Sequence, residues 1–531
     1  MASRQLDWSL YLVTDSTPAI LGDKDIVHVV EQALLGGVTI VQYRDKHADT
    51  GVMIENASRL HAVTRKYNVP LLINDRLDVA QAIGAEGVHI GQDDIPIKLA
   101  RKLLGSEAII GVTASSVAEA EKAIQDGADY LGIGTTFATP TKTDTKSIIG
   151  TRGLQEILGS TSTGTEKSIP CVAIGSINSR NVQRVLHQSA HGTNRLNGVA
   201  VVSAIMASSD PRESAKQLVD LIKSTPQKFY ASVSPTSSTR TNISEIVAEI
   251  PDIIKTHVTS STLTHNMTNT VVQNFAANVA IATGASPIMS DNGPEAPDLA
   301  RLGGGLVINM GTATPEKMKS FLAGLQAYNQ VGSPVILDPV GGGATALRRE
   351  AIKTLLAAGF FSVIKGNEGE IGAVVGASGV QQRGVDSGPS TSTHEEKIKI
   401  VQDLARREHN IIVMTGAIDY ISDGTRTITL GNGSPYLGRI TGAGCALGAV
   451  IASYNAAYRH DKLLATLAAL LHYELAAERA EARVEVRGPG TFIPAFLDEL
   501  YLFGEEMKQG VGTGDKTKFQ EKVKIELIES S

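Results

Sequence analysis

A chain of 531 residues is too long for one ordinary core, and division by a typical domain length gives roughly three or four, which large α/β domains reduce to two. Its net charge of −6, without a basic cluster, excludes the electrostatic footprint of a nucleic-acid binder and points to small-molecule partners. The two cysteines, Cys171 and Cys445, are too far apart in sequence and context for a disulfide framework, which fits a reducing compartment.

The N-terminal stretch Met1–Trp8 lacks the apolar segment of a secretory signal, so a cytoplasmic location is expected. From residue 9 the chain repeats one unit: a short apolar strand, a polar or glycine turn, then a helical segment. The predicted strands are Leu10–Thr14, Thr39–Arg44, Leu71–Asn74, Gly87–Ile90, Ile109–Val112, Tyr130–Ile133, Cys171–Ile174 and Gly198–Val202. Eight βα units within about 220 residues suit a (β/α)8 TIM barrel, whose active site lies at the C-terminal strand ends. Polar residues collect at those ends: Gln42, Arg44 and Lys46; Asn74 and Asp75; Asp94; Thr113; Thr139, Thr141 and Lys142; Ser203. Parallel barrel strands are covered on both faces, so charge there is costly unless it is paired or meets a ligand.

Gln42, Arg44 and Lys46 are spaced by two and share one face of an extended segment, where two cations and an amide suit a pyrophosphate. Asp75 and Asp94, on neighbouring strand ends, are hard oxygen ligands suited to magnesium; either alone would more often cap a helix. Residues 9–222 resemble the thiamine-phosphate synthase family through Val41-Gln-Tyr-Arg-Asp-Lys46, Leu72-Ile-Asn-Asp75, Gly87-Val-His-Ile-Gly-Gln-Asp-Asp94, Thr139-Pro-Thr-Lys142 and Val201-Val-Ser203. The resemblance implies that Gln42, Arg44, Lys46, Asn74, Thr113 and Lys142 bind a pyrimidine pyrophosphate. It assigns Thr139, Thr141, Ser176, Val202 and Ser203 to a thiazole phosphate, and Asp75 and Asp94 to Mg2+. Thr113 stands where the family often has serine, and Ser176 where it usually has a second glycine, so a left-handed backbone at Ser176 would be strained.

The polar insertions Ser160–Ser168 and Ser189–Asn197 read as surface loops. Residues 224–242, rich in serine, threonine and proline without apolar period, read as a linker between a first domain of residues 1–223 and a second of 243–531. In the second domain Val271, Val272, Phe275, Ala276, Val279 and Ala280 follow helical spacing, mostly as core, with Asn269 as an N-cap partner. Asp338 ends the strand Val335–Leu337, and Lys365-Gly-Asn-Glu-Gly-Glu370 follows the apolar run Phe360–Ile364. The pair Asn367 and Glu370 suits the ordering of magnesium-bound water around phosphates. A second loop, Gln381–His394, precedes the strand Asn410–Met414, which ends at Thr415-Gly416.

Arg439-Ile-Thr-Gly-Ala-Gly-Cys-Ala-Leu-Gly-Ala-Val450 reads as a glycine turn running into a helix, with Gly442 and Gly444 letting backbone N–H groups converge on a phosphoryl oxygen. A thiol at a helix start is expected to have a lowered pKa, which suits Cys445 as a base toward a substrate hydroxyl; the alternatives are a positioning group or a space-filling cysteine. The stretch Leu463–Ala477, interrupted by His472 and Glu474, is too short to span a bilayer, so no membrane partner is expected. Met507–Ser531 is strongly charged and reads as a peripheral helix or a loose tail.

The glycine turn, Lys365–Glu370, Thr268–Asn278, Gly284–Met289, Ile336–Gly343 and Met414–Gly416 resemble the ribokinase-like superfamily. A cysteine where that superfamily presents a catalytic aspartate makes residues 243–510 resemble hydroxyethylthiazole kinase. The resemblance implies ATP as co-substrate, contacted by Lys365, Thr415, Asn367, Glu370 and Asp338, with Met289 and Gly442 against the thiazole. Cys445 would take the catalytic place, and assembly into a homo-oligomer through the kinase halves is implied as well. Together the halves resemble the fungal bifunctional enzymes that fuse thiamine-phosphate synthase to hydroxyethylthiazole kinase. The second reading is a ribokinase-like kinase of another small alcohol fused to a thiamine-binding regulatory barrel.

Overall fold

The computed structural model describes residues 6–137, 148–161, 169–191, 193–229, 242–376, 392–510 and 519–528. It divides into two compact units, Met1–Pro226 and Gln227–Ser531.

The first unit is a closed barrel of eight parallel strands: β1 (Leu10–Val13), β2 (Ile40–Tyr43), β3 (Leu71–Asn74), β4 (Gly87–Ile90), β5 (Ile109–Ala114), β6 (Tyr130–Ile133), β7 (Cys171–Ile174) and β8 (Gly198–Val201). Closure is set by β8 pairing with β1, Leu10 opposite Val199 and Leu12 opposite Val201. Strand periodicity then sorts the side chains. Leu10, Leu12, Val41, Tyr43, Leu71 and Ile73 pack outward in the main core, whereas Tyr11, Val13, Ile40, Leu72, Tyr130 and Val172 form a separate cluster inside the barrel. Gln42, Asn74 and Thr113 fall on the inward phase of their strands and reach its mouth.

Two expectations for this unit change. Ser189, Ala190 and Leu196 are buried, and the Asn194 amide donates to Leu158 O at 2.8 Å, so residues 189–197 are partly core rather than surface loop. The helix Pro211–Phe229 runs through the first residues of the predicted linker, residues 230–241 lie outside the described residues, and Asn242 caps the next helix, Ile243–Ser260.

The second unit is a nine-stranded sheet with strands β9 (Leu263–Met267), β10 (Ser286–Ile288), β11 (Gly305–Asn309), β12 (Val335–Asp338), β13 (Val363–Asn367), β14 (Ile411–Thr415), β15 (Asp419–Ser422), β16 (Thr427–Leu430) and β17 (Ile525–Ile528). Their order is β10-β9-β11-β12-β13-β14-β15-β16-β17, parallel through β14 and antiparallel beyond it. Helices cover both faces, giving two apolar clusters, one of which holds the helices Ala443–Ala457, Lys462–Glu481 and Pro489–Gln509. Lys462–Glu481 is buried along nearly its whole length. The C-terminal stretch is neither a loose tail nor a helix alone: after Gln509 the chain returns as β17, with Leu527 opposite Ile428.

Candidate active sites

The barrel mouth holds a cavity of about 320 Å³ lined by Gln42, Arg44, Lys46, Asn74, Asp75, Asp94, Thr113, Ser176, Val202 and Ser203. These are all of the predicted barrel site residues that fall among the described residues; Thr139, Thr141 and Lys142 lie outside them. Arg44 stands 3.7 Å from the buried Asp15 carboxylate, and Lys46 is 3.7 Å from Asp75, with more than half its side chain exposed. Neither contact is short enough to satisfy these cations fully.

Asp75 does not cap a helix. Its backbone is left-handed (φ 59°), the following helix Leu77–Ile83 is entered through Arg76, and its carboxylate accepts from the Asn74 amide at 2.7 Å. Asp94 accepts from Gly91 N at 2.7 Å and faces Asp75 within hydrogen-bonding reach. Burial, reinforced by the Asp94 carboxylate, pushes Asp75 up to about 6. Two facing carboxylates are a donor set that fits a divalent cation. Among the described residues no group of three or more His, Cys, Asp and Glu could hold one alone, so ligand phosphate and water would complete the shell. Ser176 adopts φ 51°, the strained conformation anticipated from the missing glycine; its carbonyl is held by the Asn178 and Asn181 amides at 3.2 and 3.0 Å.

Sequence reasoning passed over the residues beneath this mouth. Tyr11 and His89 line the cavity and join the buried Tyr130 in a hydrogen-bonded chain between Gln42 and Thr113. The one sequence signal was the inward phase of these residues, one to three positions before the strand ends Val13, Ile90 and Ile133, and it does not separate them from core.

In the second unit the structure gathers Asp338, Lys365, Glu370 and Cys445. Lys365, buried on β13, donates to Gly444 O at 2.6 Å and to Asp338 Oδ2 at 3.3 Å. The same Asp338 oxygen accepts from the Asn309 amide at 2.9 Å, while Oδ1 is buried without a partner. Burial raises the Asp338 pKa against the pull of Lys365; burial opposes the charge on Lys365, but Asp338, Cys445 and Glu370 outweigh it and raise its pKa. A buried acceptor oxygen without a partner fits a bound cation, and the ammonium beside it fits a phosphate oxygen.

Several expectations change here. The Asn367 and Glu370 pair forms a capping box for the helix Glu368–Val375, and Glu370 also accepts from Gly341 N at 2.9 Å, so both side chains serve local structure first. Burial, with the Asp338 charge adding to it, pushes Glu370 up to about 7. The helix Ala443–Ala457 starts at Gly442 (φ 89°), where an added Cβ would meet Val272 Cγ2 at 2.5 Å. The Cys445 pKa is not lowered. Burial and the Asp338 charge push it up to about 11, Lys365 pulling the other way, so the helix start is outweighed. Asn269 does not cap the helix Gln273–Ala282, which is entered at Val272; its amide instead donates to Asn309 Oδ1 at 3.1 Å and to Cys445 Sγ at 3.7 Å. Val271 is 75% exposed rather than core.

Thr415 ends β14, and Asp419 accepts from Gly416 N at 2.8 Å in the turn that follows. Met289 follows the edge strand β10, separated from β12 by β9 and β11.

An α/β barrel with a polar C-terminal mouth, followed by an α/β sheet domain with a buried acid–lysine–cysteine cluster at a glycine turn, makes a chain of two α/β units, each with its own candidate active site. The Thiamine monophosphate synthase family model matches residues 10–205, and that of the Hydroxyethylthiazole kinase family matches residues 254–506. The chain is 44% identical over 524 residues to a probable thiamine biosynthetic bifunctional enzyme of Schizosaccharomyces pombe, covering 97% of this chain and 99% of that one. It is 36% identical over 546 residues to the thiamine biosynthetic bifunctional enzyme of Saccharomyces cerevisiae, again covering 97% and 99%. Its first part alone is 46% identical over 223 residues to a thiamine-phosphate synthase of Chloroflexus aurantiacus, covering 42% of this chain and 96% of that one. The chain belongs to the family of thiamine biosynthetic bifunctional enzymes, with a thiamine-phosphate synthase half and a hydroxyethylthiazole kinase half.

Proposed function

We propose that the kinase half phosphorylates 4-methyl-5-(2-hydroxyethyl)thiazole with ATP. The barrel then joins the thiazole phosphate to hydroxymethylpyrimidine pyrophosphate, giving thiamine phosphate and pyrophosphate. The observation that carries the barrel assignment is the convergence of ten residues, from Gln42 to Ser203, on one cavity. Arg44 and Lys46, with Lys142, neutralise charge gathering on the departing pyrophosphate. Asp75 and Asp94 hold Mg2+, which when bound supplies further charge neutralisation at that group. Asn74 supports Asp75 through the 2.7 Å hydrogen bond. Thr139, Thr141, Ser176, Val202 and Ser203 receive the thiazole phosphate. This donor set disfavours a barrel that only senses thiamine.

In the kinase half, Lys365, Thr415, Asn367, Glu370 and Asp338 surround the ATP phosphates and their Mg2+, and Met289 and Gly442 contact the thiazole. With its pKa near 11, Cys445 rests as a thiol at neutral pH, which favours alignment of the substrate hydroxyl over proton uptake by a standing thiolate. Exposed Val271 and Ile281, 75% and 60% accessible, support assembly of kinase halves into a homo-oligomer; sedimentation of a concentration-independent, fully active monomer would reject it. No helix of the described residues is long and apolar enough to cross a membrane, and a cytoplasmic location fits the cysteine usage.

The test is one assay with ATP, the thiazole alcohol and the pyrimidine pyrophosphate, each omitted in turn. Thiamine phosphate should require all three, and thiazole phosphate only the first two. Turnover of a different alcohol with no thiazole phosphorylation would favour the second reading.

A further inference from the structure

The floor of the barrel cavity carries a polar chain whose three middle members, Tyr11, Tyr130 and His89, have no role in the proposed chemistry. Gln42 Nε2 donates to the Tyr11 hydroxyl at 2.7 Å, and the Tyr11 and Tyr130 hydroxyls lie 2.8 Å apart. Tyr130 OH is 2.7 Å from His89 Nδ1, and His89 Nε2 is 2.8 Å from Thr113 Oγ1. The five residues belong to β2, β1, β6, β4 and β5, so the chain spans the barrel interior.

Its direction follows from what each atom can do. An amide nitrogen only donates, so the Tyr11 oxygen accepts there, and the arrangement that gives each hydroxyl one donor and one acceptor role sends the Tyr11 proton to Tyr130. The Tyr130 proton then goes to Nδ1 of His89. A neutral imidazole that accepts at Nδ1 carries its proton on Nε2, which donates to Thr113. The Thr113 hydroxyl proton is therefore turned away from His89, and the Gln42 carbonyl oxygen remains as that amide's acceptor. Both end residues line the cavity. Burial raises the pKa of both phenols, keeping their protons in the chain.

Neighbouring residues are fitted to this arrangement. A Cβ on Gly111 would come within 2.0 Å of the Tyr130 ring, and one on Gly132 within 2.9 Å of His89 Cε1. Trp8 packs on Tyr130 with ring centroids 4.5 Å apart.

We infer that Tyr11, Tyr130 and His89 are positioning residues of the synthase reaction: a one-way hydrogen-bond chain that holds Gln42 as an acceptor and Thr113 as a donor toward the pyrimidine ring of the substrate. The inference rests on the assignment of the barrel mouth to the pyrimidine pyrophosphate. A ring with a donor on one edge and an acceptor on another meets a matched pair of partners, and a ring lacking either leaves one of them unpaired at a cost.

The experiment uses the full chain and compares wild type, Tyr130→Phe, Tyr11→Phe and Asp75→Asn. Steady-state coupling kinetics and the affinity for inorganic pyrophosphate are measured on each. Tyr130→Phe keeps the ring and loses only the hydroxyl; KM for the pyrimidine pyrophosphate should rise about tenfold, the value of one hydrogen bond. KM for the thiazole phosphate and the pyrophosphate affinity should stay unchanged. In wild type, 15N-histidine spectra should show His89 protonated at Nε2 and bare at Nδ1, with this preference lost in Tyr130→Phe. An unchanged KM in both phenylalanine variants, or His89 protonated at Nδ1, overturns the inference. If Tyr130→Phe also loses pyrophosphate, Tyr11→Phe decides by the same measurements. If Asp75→Asn couples normally, the assignment of the mouth fails instead.

Discussion

The barrel mouth and the kinase cluster use the same residue types in opposite settings. At the mouth, Lys46 and Asp75 stand 3.7 Å apart at the edge of an open cavity, and their charges are left for a ligand to satisfy. In the kinase half, Lys365 and Asp338 are almost inaccessible and already bonded to each other, to Asn309 and to Gly444 O. The mouth can therefore lose a charge at the expense of activity alone, whereas the kinase cluster cannot lose one without cost to the fold.

The strongest test of that contrast is Lys365→Met. It should abolish thiazole phosphorylation and destabilise the kinase half by about 3 kcal/mol, because Asp338 is left buried without its ammonium. Denaturant unfolding beside a kinase assay checks it; a variant that is inactive but fully stable would erase the difference between the sites. Asp75→Asn should next reduce coupling about 100-fold while leaving thiazole phosphorylation and thermal stability near wild type. Equal loss of both activities in a folded variant would contradict separate sites.

Cys445→Ala should lower the kinase kcat roughly tenfold or more with little change in KM. Burial holds this thiol up to about 11, so the reactive thiolate fraction should rise about tenfold per pH unit from pH 7 to 10. Alkylation rates of the wild-type protein, with Cys445→Ala subtracting the Cys171 contribution, read this out; fast labelling of Cys445 at pH 7 would restore the lowered pKa. The smallest effect belongs to Ser176→Gly, which relieves a left-handed serine at φ 51° and should stabilise the barrel by about 0.5–1 kcal/mol in thermal unfolding. A loss of stability would mean that the two asparagine amides on its carbonyl already make serine the better residue.

The rim was legible because barrel strands tolerate charge only at their ends, so Arg44, Lys46, Asp75 and Asp94 stood out from apolar runs. The eight barrel strands followed from the same runs. Tyr11 and Tyr130 were not legible, since an aromatic residue in a strand looks like core and its hydroxyl reveals a role only once five strands converge. The direction of the Cys445 pKa shift was misjudged for a related reason. The local sequence displays the helix start, but the Asp338 charge and the burial that outweigh it come from β12, more than a hundred residues away. Residues 525–528 were missed because four residues within a charged stretch carry too little periodicity to mark a strand.

That last strand has a practical bearing. Through Ile525 and Leu527 opposite Leu430 and Ile428, β17 occupies hydrogen-bonding positions that β16 would otherwise offer to any extended peptide. Trimming the chain before Val523, as a fragment bounded by the kinase family match at 254–506 would do, removes this cover. The shortened protein would retain the cluster around Asp338 and still tend to aggregate, and a solubilising tag in place of residues 519–528 would not substitute for the missing pairing.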